Sequence, residues 1–392
     1  MSNERQSADH HPGRLAVPAV RELTPYVPGK PISELQREFG IHDIVKLASN
    51  ENPYGPSPRT LAAMRAAVDE VWLYPDGSCH ELKHGLARHL GVDASALSLG
   101  NGSNDLLALL AEAFLTPGHS AVYSQYGFAL YPLVIRQTGA RPIEVAALGD
   151  GSDMPLGHDL PAMTAAIAPD TRLVFVANPN NPTGTWAPAA AVKRLLENSP
   201  PSTLVVLDEA YFEYGRARDT QDGVAWLAEH PNLVVLRTFS KAYGLAGARV
   251  GYAISHPEVA EVLNRLRPAF NVNSIAQAGA LAALADQAHM RQAVDRTMSE
   301  LTRVEAEFKR LGLWTAPSAA NFLLLRLNGP AAPVFEQLLR RGLIVRPLAG
   351  YGLANCLRIS IGRREENDRL LAALPLALAA VAAAATVAAP AL

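Results

Sequence analysis

Thr238-Phe239-Ser240-Lys241-Ala242-Tyr243-Gly244-Leu245-Ala246-Gly247-Ala248-Arg249 directly follows the apolar run Leu233–Leu236, and that junction decides how the chain is read. The run predicts a buried strand, so Lys241 emerges at a strand end among hydroxyl, glycine and arginine neighbours. An amine held on such a turn can condense with an aldehyde and exchange it again. Ser240 and Arg249 add a hydrogen bond and a fixed positive charge suited to a phosphate. Taken alone, the segment also reads as an exposed lysine in a Gly-rich loop. The rest of the chain has to decide.

Outward from that junction, compact apolar segments recur: Ala121–Ser124, Leu173–Val176 and Leu204–Leu207. Stretches long enough for crossover helices separate several of them, Ala187–Glu197 among them. That alternation predicts βαβ units and an α/β fold whose sheet is parallel at its centre and covered on both faces. Residues 60–70 and 80–90 read as amphipathic helices. After Ile254 the pattern changes to a long helical region, about 257–311. Strand-like Phe322–Leu327, a helix around Pro333–Arg341, and strand-like Ile344–Val345 and Leu357–Ile361 follow. This is the pattern of a smaller α+β domain. The expected division is a disordered arm at 1–20, a segment at 21–60 joining the small domain and covering the site, a large cofactor-binding domain at 61–256, a small domain at 257–376, and an Ala-rich tail at 377–392.

With 392 residues, 49% of them hydrophobic, the chain can bury the cores of two domains. Its 35 basic and 37 acidic residues leave a net charge of −2, with no electrostatic footprint for nucleic acid. Two distant cysteines, Cys79 and Cys356, argue against a disulfide framework and suit a reducing compartment. Met1–Arg14 is polar and lacks an apolar signal core. Leu371–Leu392 is uncharged, but alanine is weakly apolar and Pro375 and Pro390 interrupt the run, so a helix packed on the body is expected rather than a membrane span. The expectation is a cytoplasmic protein.

In open α/β sheets, ligands gather outside the carboxyl ends of the strands. Three polar groups sit there: Asn178-Pro179-Asn180-Asn181-Pro182-Thr183-Gly184, Asp208-Glu209-Ala210-Tyr211, and Ser240-Lys241. Together they meet the needs of pyridoxal 5′-phosphate. Its ring works as an electron sink while the pyridine nitrogen stays protonated, and a carboxylate such as Asp208 ensures this. Asn181 and Tyr211 suit the ring's 3′-oxygen. Gly100-Asn101-Gly102-Ser103-Asn104-Asp105 precedes the apolar helix Leu106–Leu115, and a helix start offers N–H donors to phosphate. Its GxG lacks the third glycine of a dinucleotide fingerprint, because Asp105 stands in that place. Tyr126 could stack on the ring face. Ordinary readings remain beside these: a helix cap for Asp208, another for Ser103-Asn104, a core aromatic for Tyr126.

The motifs together resemble the fold-type I, pyridoxal-phosphate-dependent class II aminotransferases, and within that class they are most similar to the histidinol-phosphate aminotransferases. The resemblance runs from about Leu23 to Leu370. It is carried by LTPYVPG at 23–29, ASNENPYGPSP at 48–58, YPDG at 74–77, GNGSND at 100–105, NPNNPTG at 178–184, DEAY at 208–211, SKAYGLAGARVGY at 240–252 and LRISIG at 357–362. It implies that Lys241 carries the cofactor aldehyde and shuttles the proton, and that Asp208 pairs with the pyridine nitrogen. Asn181 and Tyr211 would contact the 3′-oxygen and Tyr126 the ring. Gly102, Ser103, Ser240 and Arg249 would hold the phosphate, and Asn104 would also contact the cofactor. Tyr74 would reach the cofactor phosphate of a neighbouring subunit, in a homodimer with shared sites. Arg358 would bind the substrate's carboxylate or phosphate end, with Tyr26, Asn50, Asn321 and Arg346 near its tail. Both arginines also suit bidentate capture of a carboxylate such as glutamate's.

The implied reaction is transamination between L-histidinol phosphate and 2-oxoglutarate, giving imidazole-acetol phosphate and L-glutamate, in histidine biosynthesis. Two alternatives share the cofactor: an aromatic amino-acid aminotransferase, and a threonine-phosphate decarboxylase. Metal, nucleic-acid and membrane partners are not expected. A regulator built on such a domain would need a DNA-binding extension, and the residues before Val20 are too few for one.

Overall fold

The computed structural model describes residues 12–25, 29–216, 218–220 and 222–388. Its strands in chain order are β1 (Val45–Lys46), β2 (Leu97–Gly100), β3 (Ser120–Ser124), β4 (Arg141–Val145), β5 (Thr171–Ala177), β6 (Leu204–Asp208), β7 (Leu233–Thr238), β8 (Gly251–Ser255), β9 (Trp314–Thr315), β10 (Phe322–Arg326), β11 (Leu343–Ile344), β12 (Arg346–Leu348) and β13 (Leu353–Ser360). Seven of them form one sheet in the order β2-β8-β7-β6-β5-β3-β4. The run β7-β6-β5-β3-β4 is parallel, and β8 is antiparallel to both its neighbours. Leu173, Val174, Val205, Val206, Val234 and Val235 are all buried, as a sheet covered on both faces requires. Successive side chains on these strands feed two separate cores, one on each face.

A second, antiparallel sheet has the order β12-β13-β10-β9. Its core holds Leu323, Leu325, Leu357 and Ile359 against Leu301, Val304 and Phe308 of the helix Gln287–Arg310. The N-terminal segment joins this body, because β1 pairs in parallel with β11 and Leu47 enters the same core. The helical region expected over 257–311 is three helices, Pro257–Leu266, Ser274–Ala285 and Gln287–Arg310. Asn273 and Asp286 cap the second and third by accepting from the amides of Ala276 and His289, which breaks the run twice. Val272, Ala276, Ala280, Ala283 and Leu284 pack into the large-sheet core, so side-chain packing divides inside the third helix rather than at 256/257.

At the ends of the chain, Pro12–Leu15 and Pro18–Arg21 are single helical turns with no buried residue. The last helix runs unbroken from Arg364 to Ala388 through Pro375. It is long and apolar enough to cross a membrane, but Leu370, Leu374 and Ala377 lie in the small-domain core.

One buried ion pair laces the strand ends that matter most. Arg237 on β7 donates from Nε (2.9 Å) and Nη2 (2.7 Å) to Glu209, the residue after β6. Both side chains are at most 5% exposed, and the guanidinium lies 3.8 Å from the centroid of the Phe212 ring. Its Nη2 also reaches Asp222 at 2.5 Å. Glu209→Ala leaves a buried guanidinium with one remaining carboxylate at the edge of the site. Urea unfolding should show a loss of about 3 kcal/mol.

Candidate active site

The parallel register aligns Ala177 of β5 with Asp208 of β6, and Asp208 with Leu236 of β7. Three polar loops therefore leave the sheet side by side and line one cavity, in which Asn181, Asp208, Tyr211, Ser240 and Lys241 face Arg346 and Arg358 from the second sheet. Lys241 Nζ donates to the Ser49 carbonyl at 3.2 Å and stands 5.5 Å from the centroid of the Tyr211 ring.

Arg358 on β13 is only 6% exposed. It donates to Asn181 Oδ1 and to the Ala48 carbonyl, each at 2.6 Å, and so ties the small domain to the large sheet and to the N-terminal segment. Asn50 sits beside it in the left-handed region at φ 56°, which asparagine tolerates. Its amide donates to the Tyr211 hydroxyl (2.9 Å), its side-chain oxygen accepts from Ser360 (2.7 Å), and its carbonyl accepts from Asn321 (3.0 Å). Asn50 and Asn321 thus hold the wall together.

At the opposite corner, Gly102 at φ 80° precedes the helix Ser103–Phe114, whose first turn has no side-chain cap. Arg249, also left-handed at φ 63°, folds over it. It donates to the carbonyls of Ala246 (2.9 Å) and Asn101 (3.1 Å) and to Ser240 Oγ (3.3 Å). A Cβ on Gly102 would lie 2.5 Å from Arg249 Nη2, and one on Gly251 would lie 2.6 Å from the Ser103 amide nitrogen. Helix-start amides, two hydroxyls and a guanidinium converge without side chains in the way. That is an anion cradle.

Asp208 is 5% exposed, and burial raises its pKa. Two donors and a charge oppose the shift: the Tyr131 hydroxyl at 2.9 Å from Oδ2, the Ala210 amide at 3.1 Å from Oδ1, and the charge of Lys241. Burial pushes the Tyr211 phenol up to about 12 against the pull of Arg358, so it is a neutral hydroxyl at physiological pH.

Not every expected residue lies on this cavity. Tyr126 is half-buried against the cluster that contains Leu348 and Leu353, its carbonyl accepting from Asn180, while Phe128 lines the cavity two residues on. Tyr74 is 82% exposed and stacks on Phe270 at 4.7 Å. Tyr26 lies outside the described residues. Sequence reasoning missed Ser49, Phe128 and Tyr131. The only signal for Tyr131 was that a buried Asp208 needs a donor, and the sequence does not say which chain segment brings one.

The chain belongs to the family described as aminotransferase class I and II, whose model matches residues 42–374. Its architecture is that of the fold-type I, pyridoxal-phosphate-dependent aminotransferases. It is 54% identical to histidinol-phosphate aminotransferase 2 of Pseudomonas aeruginosa, over 93% of this chain and 98% of that one. It is 53% identical to a protein of the same name from Methylococcus capsulatus, over 92% and 97% of the two chains. Among solved structures it is similar to histidinol-phosphate aminotransferase from Sinorhizobium meliloti in complex with pyridoxal-5′-phosphate. That match has a TM-score of 0.85 and 33% identity, and covers 93% of this chain and 98% of the other.

The cradle makes a contrast between two glycines. Gly251→Ala forces the start of the helix at Ser103 to move, and affinity for pyridoxal 5′-phosphate should fall about tenfold or more, as overpacking against backbone costs. A Cβ on Gly247 meets nothing within 4 Å, so Gly247→Ala should bind as the unaltered protein does. Absorbance titration of the apoproteins compares the two.

Proposed function

We propose that the chain transfers an amino group between L-histidinol phosphate and 2-oxoglutarate, giving imidazole-acetol phosphate and L-glutamate, as a step in histidine biosynthesis with pyridoxal 5′-phosphate as cofactor. The observation that carries this reading is the meeting of Lys241, Asp208 and two small-domain arginines on one cavity, in a chain 54% identical to an enzyme of that name.

The residues present fit the cofactor. Asp208 is a buried carboxylate that gains from a cationic partner, and Ser103, Ser240 and Arg249 line the cavity with two hydroxyls and a guanidinium suited to a phosphate. Bound there, the group supplies an aldehyde that accepts the amino group and a cationic ring that withdraws electrons from the substrate's α-carbon. Asp208 would keep the ring nitrogen protonated. Asn181 and Tyr211 would hold the 3′-oxygen. Gly102, Ser103, Ser240 and Arg249 would hold the phosphate, Asn104 would also contact the cofactor, and an aromatic from the Tyr126–Phe128 turn would cover the ring. Lys241 Nζ would anchor the aldehyde and, once released, move a proton between the two reacting carbons.

Arg358 would clamp the α-carboxylate of glutamate, or the phosphate end of the other substrate, with its planar fork. Arg346, Asn321, Asn50 and Tyr26 would contact the tail. Domain closure over Lys241 would exclude water, as Arg358 already bridges both bodies. We read the active form as a homodimer in which Tyr74 serves the neighbouring subunit's phosphate. Support comes from Trp72 and Tyr74, large aromatics that are 79% and 82% exposed in a single copy. We read its location as cytoplasmic, consistent with two free, buried cysteines.

Two measurements test this. The kcat/KM for histidinol phosphate should exceed that for phenylalanine; the reverse order would move the substrate assignment to aromatic amino acids and leave the cofactor assignment intact. Lys241→Ala should abolish turnover yet still bind pyridoxal 5′-phosphate noncovalently, with the spectrum of the free aldehyde. Persistent turnover in that variant would remove Lys241 from its role.

A further inference from the structure

We infer that Tyr131 is a positioning residue for the reaction: its hydroxyl, donated to Asp208 Oδ2, holds that carboxylate ionised so that the shared proton stays on the cofactor's ring nitrogen. The inference rests on the assignment of Asp208 made above.

Tyr131 lies in the helix Leu130–Gln137 and is fully buried. Its ring stacks on Phe175 (4.9 Å, 11°) and meets Phe128 edge-on (5.9 Å, 88°). Gly127 makes room for it, since a Cβ there would lie 2.9 Å from the Ser124 carbonyl oxygen and 3.2 Å from the Tyr131 ring. A ring gripped in this way fixes where its hydroxyl stands, 2.9 Å from Asp208 Oδ2. The Ala210 amide occupies the other oxygen at 3.1 Å.

The direction of the bond follows from the surroundings. Burial, and then the charge of Asp208, push the phenol well above its ordinary range, so the phenol is a permanent donor and Asp208 the acceptor. Tyr211 and Tyr351 act on the phenol in the same direction, and Lys241 acts on Asp208 through its charge. Hydrogen bonds to an ionised acceptor are the strong class, and each one given to a carboxylate makes it less basic. One proton lies between a pyridine nitrogen and the carboxylate that faces it. A less basic carboxylate leaves that proton on nitrogen, where it makes the ring an electron sink. Removing the hydroxyl and keeping the ring alters this balance and little else.

The test uses holoenzyme reconstituted with pyridoxal 5′-phosphate carrying 15N in its ring, in unaltered, Asp208→Asn and Tyr131→Phe forms. Ring-15N NMR, single-turnover conversion with glutamate and thermal unfolding are read on each. The unaltered protein should show a protonated ring nitrogen, and Asp208→Asn an unprotonated one. In Tyr131→Phe the resonance should move toward the unprotonated position, the single-turnover rate should fall about tenfold or more, and the unfolding midpoint should fall only modestly, as loss of one hydrogen bond to a buried carboxylate requires. Placing 3,5-difluorotyrosine at 131 keeps the packing and strengthens the donor, so it should move the resonance the opposite way; this arm stands even where Tyr131→Phe folds poorly. A ring resonance unmoved by both Tyr131 changes overturns the inference, whatever happens to the rate. A ring nitrogen that is unprotonated in the unaltered protein, or insensitive to Asp208→Asn, overturns the Asp208 assignment and this inference together.

Discussion

A carboxylate 5% exposed at the carboxyl edge of a parallel sheet is costly to bury, and much of this site is organised around Asp208. Two donors from the protein, Tyr131 and the Ala210 amide, satisfy part of its hydrogen-bonding capacity, and Lys241 supplies nearby positive charge. In the proposed function the cavity-facing side of Asp208 meets the cofactor's cationic ring. The position is fixed by register rather than by side-chain choice: Asp208 ends β6 between Ala177 and Leu236, so the loops that carry Asn181 and Lys241 must leave the sheet on either side of it. Glu209 cannot share this role. Its carboxylate faces Arg237 and closes the adjoining strand end, which separates two consecutive acids into one structural and one chemical group.

The small domain reaches the same cavity through a different kind of bond. Arg358 donates to the Asn181 amide oxygen and the Ala48 carbonyl, which fixes its guanidinium on the cavity wall. The contrast with Arg237, matched to Glu209 and Asp222, is instructive. Both arginines are buried: Arg237 closes a strand end, and Arg358 lines the cavity with Lys241.

Much of this was legible in the sequence, for reasons that differ from element to element. The runs ending at Val176, Leu207 and Leu236 are apolar, short and β-rich, and a strand buried on both faces admits little else. Their polar endings therefore announced a shared rim. Less legible was anything set by long-range packing. Whether Tyr126 or Phe128 turns toward the cavity depends on which of them the small-domain cluster of Leu348 and Leu353 captures, and no local pattern encodes that. The division between bodies was blurred likewise, because Ser274–Ala285 is Ala-rich and packs closely with the helix Pro58–Val68, although it follows the change of pattern after Ile254.

Asn50 shows how these levels combine. Its left-handed backbone sits in the segment Ala48–Asn50 that lines the cavity, and its side chain joins Tyr211, beyond β6, to Ser360 at the end of β13. Through Asn321 its carbonyl is tied to the start of β10, and through Ser49 the same segment receives Lys241. Three widely separated parts of the chain thus share one hydrogen-bonded junction. The amine donates to the Ser49 carbonyl at 3.2 Å and stands 5.5 Å from the centroid of the Tyr211 ring, so both the N-terminal segment and the loop after β6 orient it. Asp208 lies near enough for the two to interact through charge, so the junction couples the amine to the buried carboxylate as well.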